Sequence, residues 1–430
     1  MADPKETYVY VQLNGEFVPA GLLGMRGQGR ESSAVFEYGS KYLQRPNAIS
    51  IDPVLLPLQK GRFFTRVGWK MLFGGIRDAS PDGWGRHILD TLKEDKNLTE
   101  YDYLTASNDD SVGALAFGPD LSGPKRVFPF NVSPQDLHGE TLNLELMIHL
   151  SDAIENEEDL PLEQKRFLVR GSSLGGAHPK CSTSYEGKQW IVKFSKKFDS
   201  WSTCRVENAT MKLAGMCGIN VPETKVIQVL NRDLFLIKRF DRKENLRIPF
   251  ISARTLLGIQ GETGGSGSTE DQNKSYQNIA EQCRTHGDPN HLFEDLEELY
   301  RRMVFNVLCN NFDDHLKNHG FLNQDSGWRL SPAYDIVTQP EGIKEKQLYL
   351  NIGDQGHRAT IENALTRPGS FGLKSEDALH IVNGMASTVK NNWENVFRDC
   401  GVPEKIFPEL KAVSFSEVEK FNLTTGIPFP

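Results

Sequence analysis

The order of hydrophobic periodicities between Phe167 and Phe240 is what most constrains the fold of this chain. Phe167-Leu168-Val169 leads into a run of small residues, Arg170-Gly171-Ser172-Ser173-Leu174-Gly175-Gly176-Ala177-His178-Pro179-Lys180. A hairpin should follow, turning at Glu186-Gly187 and entering Trp190-Ile191-Val192-Lys193-Phe194. Val206–Cys217 is apolar at helical spacing and stopped by Gly218, with Pro222 shortly beyond. Lys225–Leu230 and Leu234–Phe240 read as two further strands joined by Asn231-Arg232-Asp233. After a Gly-rich stretch at Gly258–Ser268, read as a flexible loop, helices take over. Leu292, Leu296, Leu299, Tyr300, Met303, Val307 and Leu308 keep helical spacing up to Asn310. Ser375–Phe421 predicts further amphipathic helix, with Leu379, Val382, Met385, Val389, Trp393 and Val396 facing inward. Runs of strands followed by runs of helices predict an α+β chain.

The beginning of the chain is β-rich. Tyr8–Leu13, Asn14-Gly15 and Glu16–Val18 form a hairpin signal with a type I′ turn dipeptide. Short strands are expected at Ala34–Tyr38 and Ile49–Asp52, and again over Asp110–Phe117. A helix is expected after Ser80 as cap, with Pro81 in its first position and Trp84, Ile88 and Leu92 on one face. A polar helix over Leu142–Ile154 ends in the acidic run Glu155–Asp159, a solvated connector. These shifts divide the chain into residues 1–155, a second segment over 156–244 and a helical segment over 245–430.

A chain of 430 residues should hold two or three cores. Its net charge of −8 supplies no global basic field, which argues against wholesale coating of nucleic acid. No apolar run approaches a membrane span, and the first residues do not begin a signal peptide. The six cysteines lie far apart with no Cys-x-x-Cys pair, as expected of reduced thiols in a cytoplasmic protein.

The chemistry is concentrated in Asn310-Asn311-Phe312-Asp313-Asp314-His315-Leu316-Lys317-Asn318-His319, with Tyr334-Asp335 after it. An Asp, an Asn five positions later and a second Asp downstream follow the spacing of a protein-kinase catalytic loop and its metal-holding Asp. Phosphoryl transfer needs one carboxylate to take a hydroxyl proton, and an amide oxygen plus a carboxylate to hold Mg²⁺. The strand, loop, strand, helix, strand, strand order upstream is that of a kinase small lobe. By itself the small-residue loop also suits an ordinary hairpin: Ala177 stands where a Walker A Lys would be, and no Gly-x-Gly-x-x-Gly is present. Lys193 shares its strand face with Ile191 and reads either as an edge lysine in solvent or as a phosphate partner paired with Glu207. His315 and His319 are four apart, as zinc ligands on a helix would be, but Leu316 replaces the Glu base and the polar flanks favour a loop.

Taken together, these residues resemble the HipA family, the serine/threonine kinase toxins of bacterial HipBA toxin–antitoxin modules. The resemblance rests on Leu56–Gly61, Ala79–Asp82 and Asp110–Ala114, then Ser173–Lys180, Ile191-Val192-Lys193, Asn220-Val221-Pro222 and Arg239-Phe240-Asp241-Arg242. It continues through Asp313, His315, Lys317, Asn318 and Arg329–Ile336. It implies a two-lobed kinase-like fold with an additional β-rich amino-terminal subdomain and an all-α carboxy-terminal lobe. It also implies Asp313 as catalytic base and Asn318 and Asp335 as Mg²⁺ ligands. ATP would meet Ser173, Gly175, Gly176, Ala177, His178 and Lys180 of the loop, Lys193 with Glu207, the hinge residues Lys238 and Phe240, and His315, Lys317 and Tyr334. Ser173 aligns with the family's autophosphorylated serine, and the adjacent Ser172 is the alternative. Departures are His178-Pro179 in place of Gln-Glu, Asp314 in place of Gly and Lys238 in place of Glu. The implied partners are a protein substrate, with an aminoacyl-tRNA synthetase as candidate, and a small DNA-binding antitoxin with its operator DNA. A weakly catalytic corepressor is the rival reading.

Overall fold

The structure, a computed structural model, describes residues 5–420 apart from 27–32, 66–71, 93–97, 107–109, 126–143, 157, 159, 162–163, 165–178, 196–200, 245, 260–272, 325 and 340–345. Its contacts gather into two compact units. The first is Met1–Phe194 with Val229–Arg232 and Lys238–Glu262, and the second is Ser195–Gln228 with Asp233–Ile237 and Thr263–Pro430.

In the first unit, β1 (Lys5–Leu13), β2 (Glu16–Arg26), β3 (Ser33–Tyr38), β4 (Arg62–Phe64) and β5 (Leu115–Gly118) form an antiparallel sheet in the order β4-β3-β2-β1-β5. Asn14 and Gly15 turn β1 into β2 with φ of 51° and 88°, the left-handed pair that matches strand twist. Val9, Val11, Leu23, Phe36, Tyr38, Phe73, Ile76 and Phe117 belong to one buried cluster on this sheet. Ile49–Asp52 is not a strand, contrary to expectation. Asp52 makes only an isolated bridge to Leu56, and its buried carboxylate accepts from the amides of Val54, Leu55 and Gly75. A side chain that collects local amides in this way competes with ladder pairing. The third expected strand is displaced to Arg62–Phe64. The helix expected from Pro81 starts instead at Trp84, after Gly83 at φ 44°, and Ser80 does not cap it. Trp84 and Ile88 are buried as expected. The expected polar helix runs over Leu144–Glu155 and buries Met147, Ile148, Leu150 and Ile154.

The strand expected from Asp110 begins only at Leu115, because the preceding backbone serves a charge cluster. The Arg239 guanidinium donates to both oxygens of Asp241 at 2.9 and 2.8 Å, to Ser182 Oγ at 3.0 Å and to the Asp110 carboxylate. Arg242 donates to the Ser111 carbonyl at 2.7 Å and to the Gly113 carbonyl at 3.1 Å. Arg247 donates to the carbonyls of Gly113 and Leu115, both at 2.9 Å, and the Gly113 amide returns a bond to Asp241 at 2.9 Å. Burial alone would raise the Asp241 carboxyl, but the Arg239 and Arg242 guanidiniums hold it below the usual carboxylate range. Two separate sequence motifs, Asp110–Gly113 and Arg239–Arg242, are therefore one structural object.

Also in this unit, β6 (Lys180–Tyr185) and β7 (Lys188–Phe194) form the expected hairpin, turning at Glu186 and Gly187 with φ of 51° and 72°. β8 (Thr224–Val229) and β9 (Arg232–Lys238), most of whose residues belong to the second unit, are joined at Leu230-Asn231, both left-handed, one residue earlier than the sequence suggests.

The second unit is mainly helical. Thr203–Met216 is capped by Ser202, whose Oγ accepts from the Arg205 amide, and ends before Gly218 at φ 80°. Tyr276–His286, Leu292–Cys309 and Ser375–Asp399 are its other long helices among the described residues. The last buries Ala378, Val382, Met385, Val389, Trp393 and Phe397, whereas Leu379 is exposed and Val396 half-buried. Leu379 sits one position off the stripe, about 100° around the helix. A hairpin of Gly320–Gln324 and Gly327–Leu330, absent from the helix-only reading, separates the candidate catalytic loop from Asp335. Among the described residues no helix is long and apolar enough to cross a membrane.

The charge cluster gives the first prediction. Arg239→Met keeps the side-chain bulk but leaves Asp241 buried without its bidentate donor. The first unit should lose about 3–5 kcal/mol in denaturant unfolding, and a loss within experimental error would show that Arg242 alone suffices.

Candidate active site

The Leu292–Cys309 helix ends on Asn310, which adopts the left-handed conformation at φ 54° and ψ 43°, one that Asn tolerates better than most residues. The chain then passes through Asn311–His315 and a single 3₁₀ turn, Leu316–Asn318. His315 and His319 thus flank a tight turn and do not stack on one α-helical face. Successive residues diverge in environment here: Asp313 is exposed, while Asp314 is only 1% exposed.

The Asp314 carboxylate is held by three donors. Tyr276 Oη donates to Oδ2 at 2.8 Å, and the amides of Tyr349 and Leu350 donate to Oδ1 at 2.8 and 3.4 Å. Tyr276 in turn accepts from Asn306 Nδ2 at 2.8 Å, and Asn306 Oδ1 accepts from Asn311 Nδ2 at 3.0 Å. Burial pushes the Asp314 carboxyl up to about 7, against the pull of the Tyr276 hydroxyl and the two amides. His319 is buried edge-on to the Tyr276 ring with centroids 5.2 Å apart. Burial, reinforced by Arg302 and His315, drops it to about 3, so its ring is neutral at neutral pH.

The segment carrying Asp335 is held by a second set of bonds. Arg329 grips Asp295 with two bonds of 2.9 and 3.0 Å, and Arg302 Nη2 donates to the Ser331 carbonyl at 2.6 Å. The Ala333 amide donates to the Asn220 carbonyl at 2.8 Å, which gives the Asn220-Val221-Pro222 motif a mechanical role. Tyr334 Oη then donates to the Lys317 carbonyl at 2.6 Å, and Thr338 Oγ1 to the Cys309 carbonyl at 2.6 Å. These last two bonds lay residues 334–338 against the loop at 309–318. Asp335 takes φ 58°, a left-handed conformation that a non-Gly residue adopts at a cost of about 1 kcal/mol or more.

Asn318 Nδ2 donates to the Asp313 carbonyl at 2.8 Å, which orients its amide oxygen away from that carbonyl. An amide oxygen and a carboxylate on adjoining segments are the hard oxygen donors that Mg²⁺ prefers. Among the described residues no three His, Cys, Asp or Glu side chains gather as a metal cage. The donor set fits a metal that also takes ligands from a substrate phosphate. Glu207 is buried on the Thr203–Met216 helix, one turn before Thr210, whose Oγ1 accepts from the Thr338 amide at 3.4 Å.

In the first unit Lys180 pairs in register with Lys193, and Lys180 is buried. Directly opposed residues in an antiparallel pair share a face with Cβ atoms about 5 Å apart, so two cations there call for anionic compensation. Trp190, Val192 and Phe194 fill the opposite, buried face as strand alternation predicts. Lys238 and Phe240 are half-buried at the end of β9, where the Arg239 amide donates to the Gln189 carbonyl at 2.9 Å. Ser172, Ser173, Gly175, Gly176, Ala177 and His178 lie outside the described residues, as do most of Gly258–Ser268.

Tyr276, Asn306 and Arg302 escaped the sequence reading. For Asn306 and Arg302 a signal was present, since both are polar residues within the apolar periodicity of Leu292–Cys309 and both are buried. Tyr276 carried none, being 38 positions from Asp314.

The raised Asp314 carboxyl gives a signed prediction. Between about pH 4 and pH 7 the folded protein binds more protons at this site than the unfolded chain, so unfolding free energy should fall as pH rises. That share of the slope should vanish in Asp314→Asn. Denaturant unfolding of both proteins from pH 5 to pH 8 measures it, and parallel slopes would show that Asp314 is ionised throughout.

Comparison with known proteins agrees with this geometry. The HipA-like C-terminal domain family matches residues 172–393, and the HipA N-terminal domain family matches residues 11–118. The serine/threonine-protein kinase toxin HipA of Shewanella oneidensis is 26% identical over 297 residues, spanning 62% of this chain and 66% of that protein. A Haemophilus influenzae protein whose kinase designation is provisional is 27% identical over 251 residues, 52% of this chain and 72% of its own length. A chain from the Shewanella oneidensis structure of HipA, HipB and operator DNA superposes with a TM-score of 0.67 at 18% identity, covering 96% of this chain and 95% of its own, so the two share a fold. With both family domains present in order on a kinase-like α+β fold, this chain belongs to the HipA family of serine/threonine kinases.

Proposed function

We propose that this protein transfers the γ-phosphoryl group of ATP to a serine or threonine hydroxyl of a protein. The observation that carries the reading is the convergence of two segments. The Tyr334–Lys317 and Thr338–Cys309 bonds lay the Asp335 segment beside the Asp313–Asn318 loop. In this reading exposed Asp313 accepts the proton of the acceptor hydroxyl, and Asn318 Oδ1 with the Asp335 carboxylate holds Mg²⁺. Bound Mg-ATP supplies the phosphoryl group. Lys180 and Lys193, opposed on one strand pair, neutralise phosphate charge, with Glu207 orienting Lys193 and Lys317 adding a cation beside the base. The backbone at Lys238 and Phe240 meets the adenine, and His315 and Tyr334 line the nucleotide side of the loop. The small-residue loop Ser173–Lys180 closes over the phosphates. A phosphate on Ser173, or on Ser172, adds about −1.5 to −2 charge among those amides and would repel ATP.

By family resemblance the target is a component of translation, an aminoacyl-tRNA synthetase being the candidate, and the effect is growth arrest. The likeness to a chain from the HipA, HipB and operator DNA structure favours a second role beside catalysis. A small antitoxin would bind this protein, and through that antitoxin the complex would sit on operator DNA. The functional division keeps residues 1–155 as the added β-rich part, 156–244 as the nucleotide lobe and 245–430 as the catalytic lobe, working in the cytoplasm.

Asp335→Ala should abolish stabilisation by Mg-ATP in a thermal melt while leaving the melt without nucleotide intact. Asp313→Gln should retain that stabilisation yet lose about 10²–10⁴-fold in phosphoryl transfer. Mass spectrometry after incubation with Mg-ATP maps the acceptor residues. Stabilisation by Zn²⁺ and not by Mg-ATP would sink the reading.

A further inference from the structure

We propose that Asp314 is a positioning residue for phosphoryl transfer. Through Tyr276 and the amides of Tyr349 and Leu350 it sets the backbone from which Asp313 reaches the acceptor hydroxyl. The proposal rests on the reading of Asp313 as base. The link between the two side chains is their shared peptide unit, with one carboxylate exposed and the next buried to 1% exposure.

Three observations carry it. The Asp314 carboxylate bridges parts of the chain distant in sequence, the Tyr276–His286 helix on Oδ2 and the Tyr349-Leu350 backbone on Oδ1. Since the Tyr349 amide also lies 3.1 Å from the Phe312 carbonyl, the residues on both sides of Asp313 are tied to the same segment. Beyond Tyr276 the bonds form a ladder of fixed direction. The single hydroxyl proton of Tyr276 goes to Asp314, so its oxygen must accept from Asn306 Nδ2, which turns Asn306 Oδ1 toward Asn311. Asn311 is the residue by which the chain enters the loop. Finally, the neutral His319 ring packs edge-on against Tyr276 at 5.2 Å, so the far end of the loop abuts the phenol that its entry reaches through Asn306.

A carboxylate is needed for this ladder. An amide at position 314 would keep an oxygen for the Tyr349 and Leu350 amides but present an NH₂ group to a Tyr276 oxygen that already receives one. Either Tyr276 loses its acceptor or Asn306 must flip and release Asn311. Both outcomes shift the loop while leaving Asn318, Asp335 and the lysines of the strand pair chemically intact. Displacement of a reacting group on the ångström scale costs on the order of 10²-fold in rate.

The experiment compares wild type, Asp314→Asn, Tyr276→Phe and Asp313→Gln as full chains at about pH 8.5, where the Asp314 carboxyl, pushed up to about 7, is ionised. It follows ADP release from Mg-ATP and phosphate transfer to dephosphorylated casein, and includes a thermal melt with and without Mg-ATP. Asp314→Asn should lose on the order of 10²-fold in kcat with KM for ATP and Mg-ATP stabilisation unchanged. Tyr276→Phe, a milder cut in the same ladder, should lose less, and the double variant should be no worse than Asp314→Asn alone. Wild-type kcat in folded Asp314→Asn, or in Tyr276→Phe should the former not fold, overturns the positioning role. So does a kcat loss matched by loss of Mg-ATP stabilisation, which marks a collapsed site. Full activity in Asp313→Gln removes the base, and this proposal falls with it; in that case the fault lies with the base reading.

Discussion

A carboxylate removed from water must find donors or give up its charge, and the candidate active site is arranged around that constraint at Asp314. Its oxygens accept from a phenol at position 276 and from two backbone amides at 349 and 350. Those donors come from two distant stretches of chain, so satisfying one buried group brings a helix and a loop against the residues around Asp313. The cost of burial shows in the carboxyl itself, pushed up to about 7 despite its partners. Removal of any donor would leave a polar atom stranded in the interior, a penalty of about 1–3 kcal/mol. The arrangement therefore resists piecemeal loosening.

The Asp335 side follows a related principle with different groups. Glu298 accepts from Arg302 at 2.9 Å and from the Asn220 amide at 3.1 Å, Arg302 passes on to the Ser331 carbonyl, and the Asn220 carbonyl takes the Ala333 amide. Irregular backbone from Ser331 to Thr338 has no ladder to satisfy it, so charged side chains and neighbouring carbonyls do so. This lets Asp335 hold a left-handed conformation without a glycine. In the first unit the Arg239, Arg242 and Arg247 guanidiniums perform the same service for the Asp110–Leu115 backbone; opposite charge outweighs desolvation at Arg239 and Asp241, whereas burial lowers Arg242 and Arg247.

Legibility varied with the range of the interactions. The Asn14-Gly15 and Glu186-Gly187 turns, the Gly218 stop of the helix read over Val206–Cys217 and the apolar stripe of Leu292–Cys309 are set by neighbours within a few residues, and all were readable; the Ser202 cap was not read. Ile49–Asp52 and Asp110–Gly113 look like strands by composition, but their polar groups are claimed by partners, and the longest of those separations is 136 residues. The start at Trp84 in place of Pro81, and the exposure of Leu379, are matters of register that periodicity alone leaves open by one or a few positions.

For the site, sequence alone determined the chemical inventory. It comprises a carboxylate, an amide and a second carboxylate at kinase-loop spacing, a lysine in an otherwise apolar strand, and the order of these parts along the chain. Spacing suffices for that because adjacent side chains differ in chemistry whatever the fold does. Only the tertiary structure decided which of two neighbouring aspartates faces solvent and which is buried. Spacing to Asn318 singles out Asp313 but says nothing of which aspartate is buried. The distinction comes from Tyr276, Tyr349 and Leu350, whose donors converge on a single point only once the chain has folded.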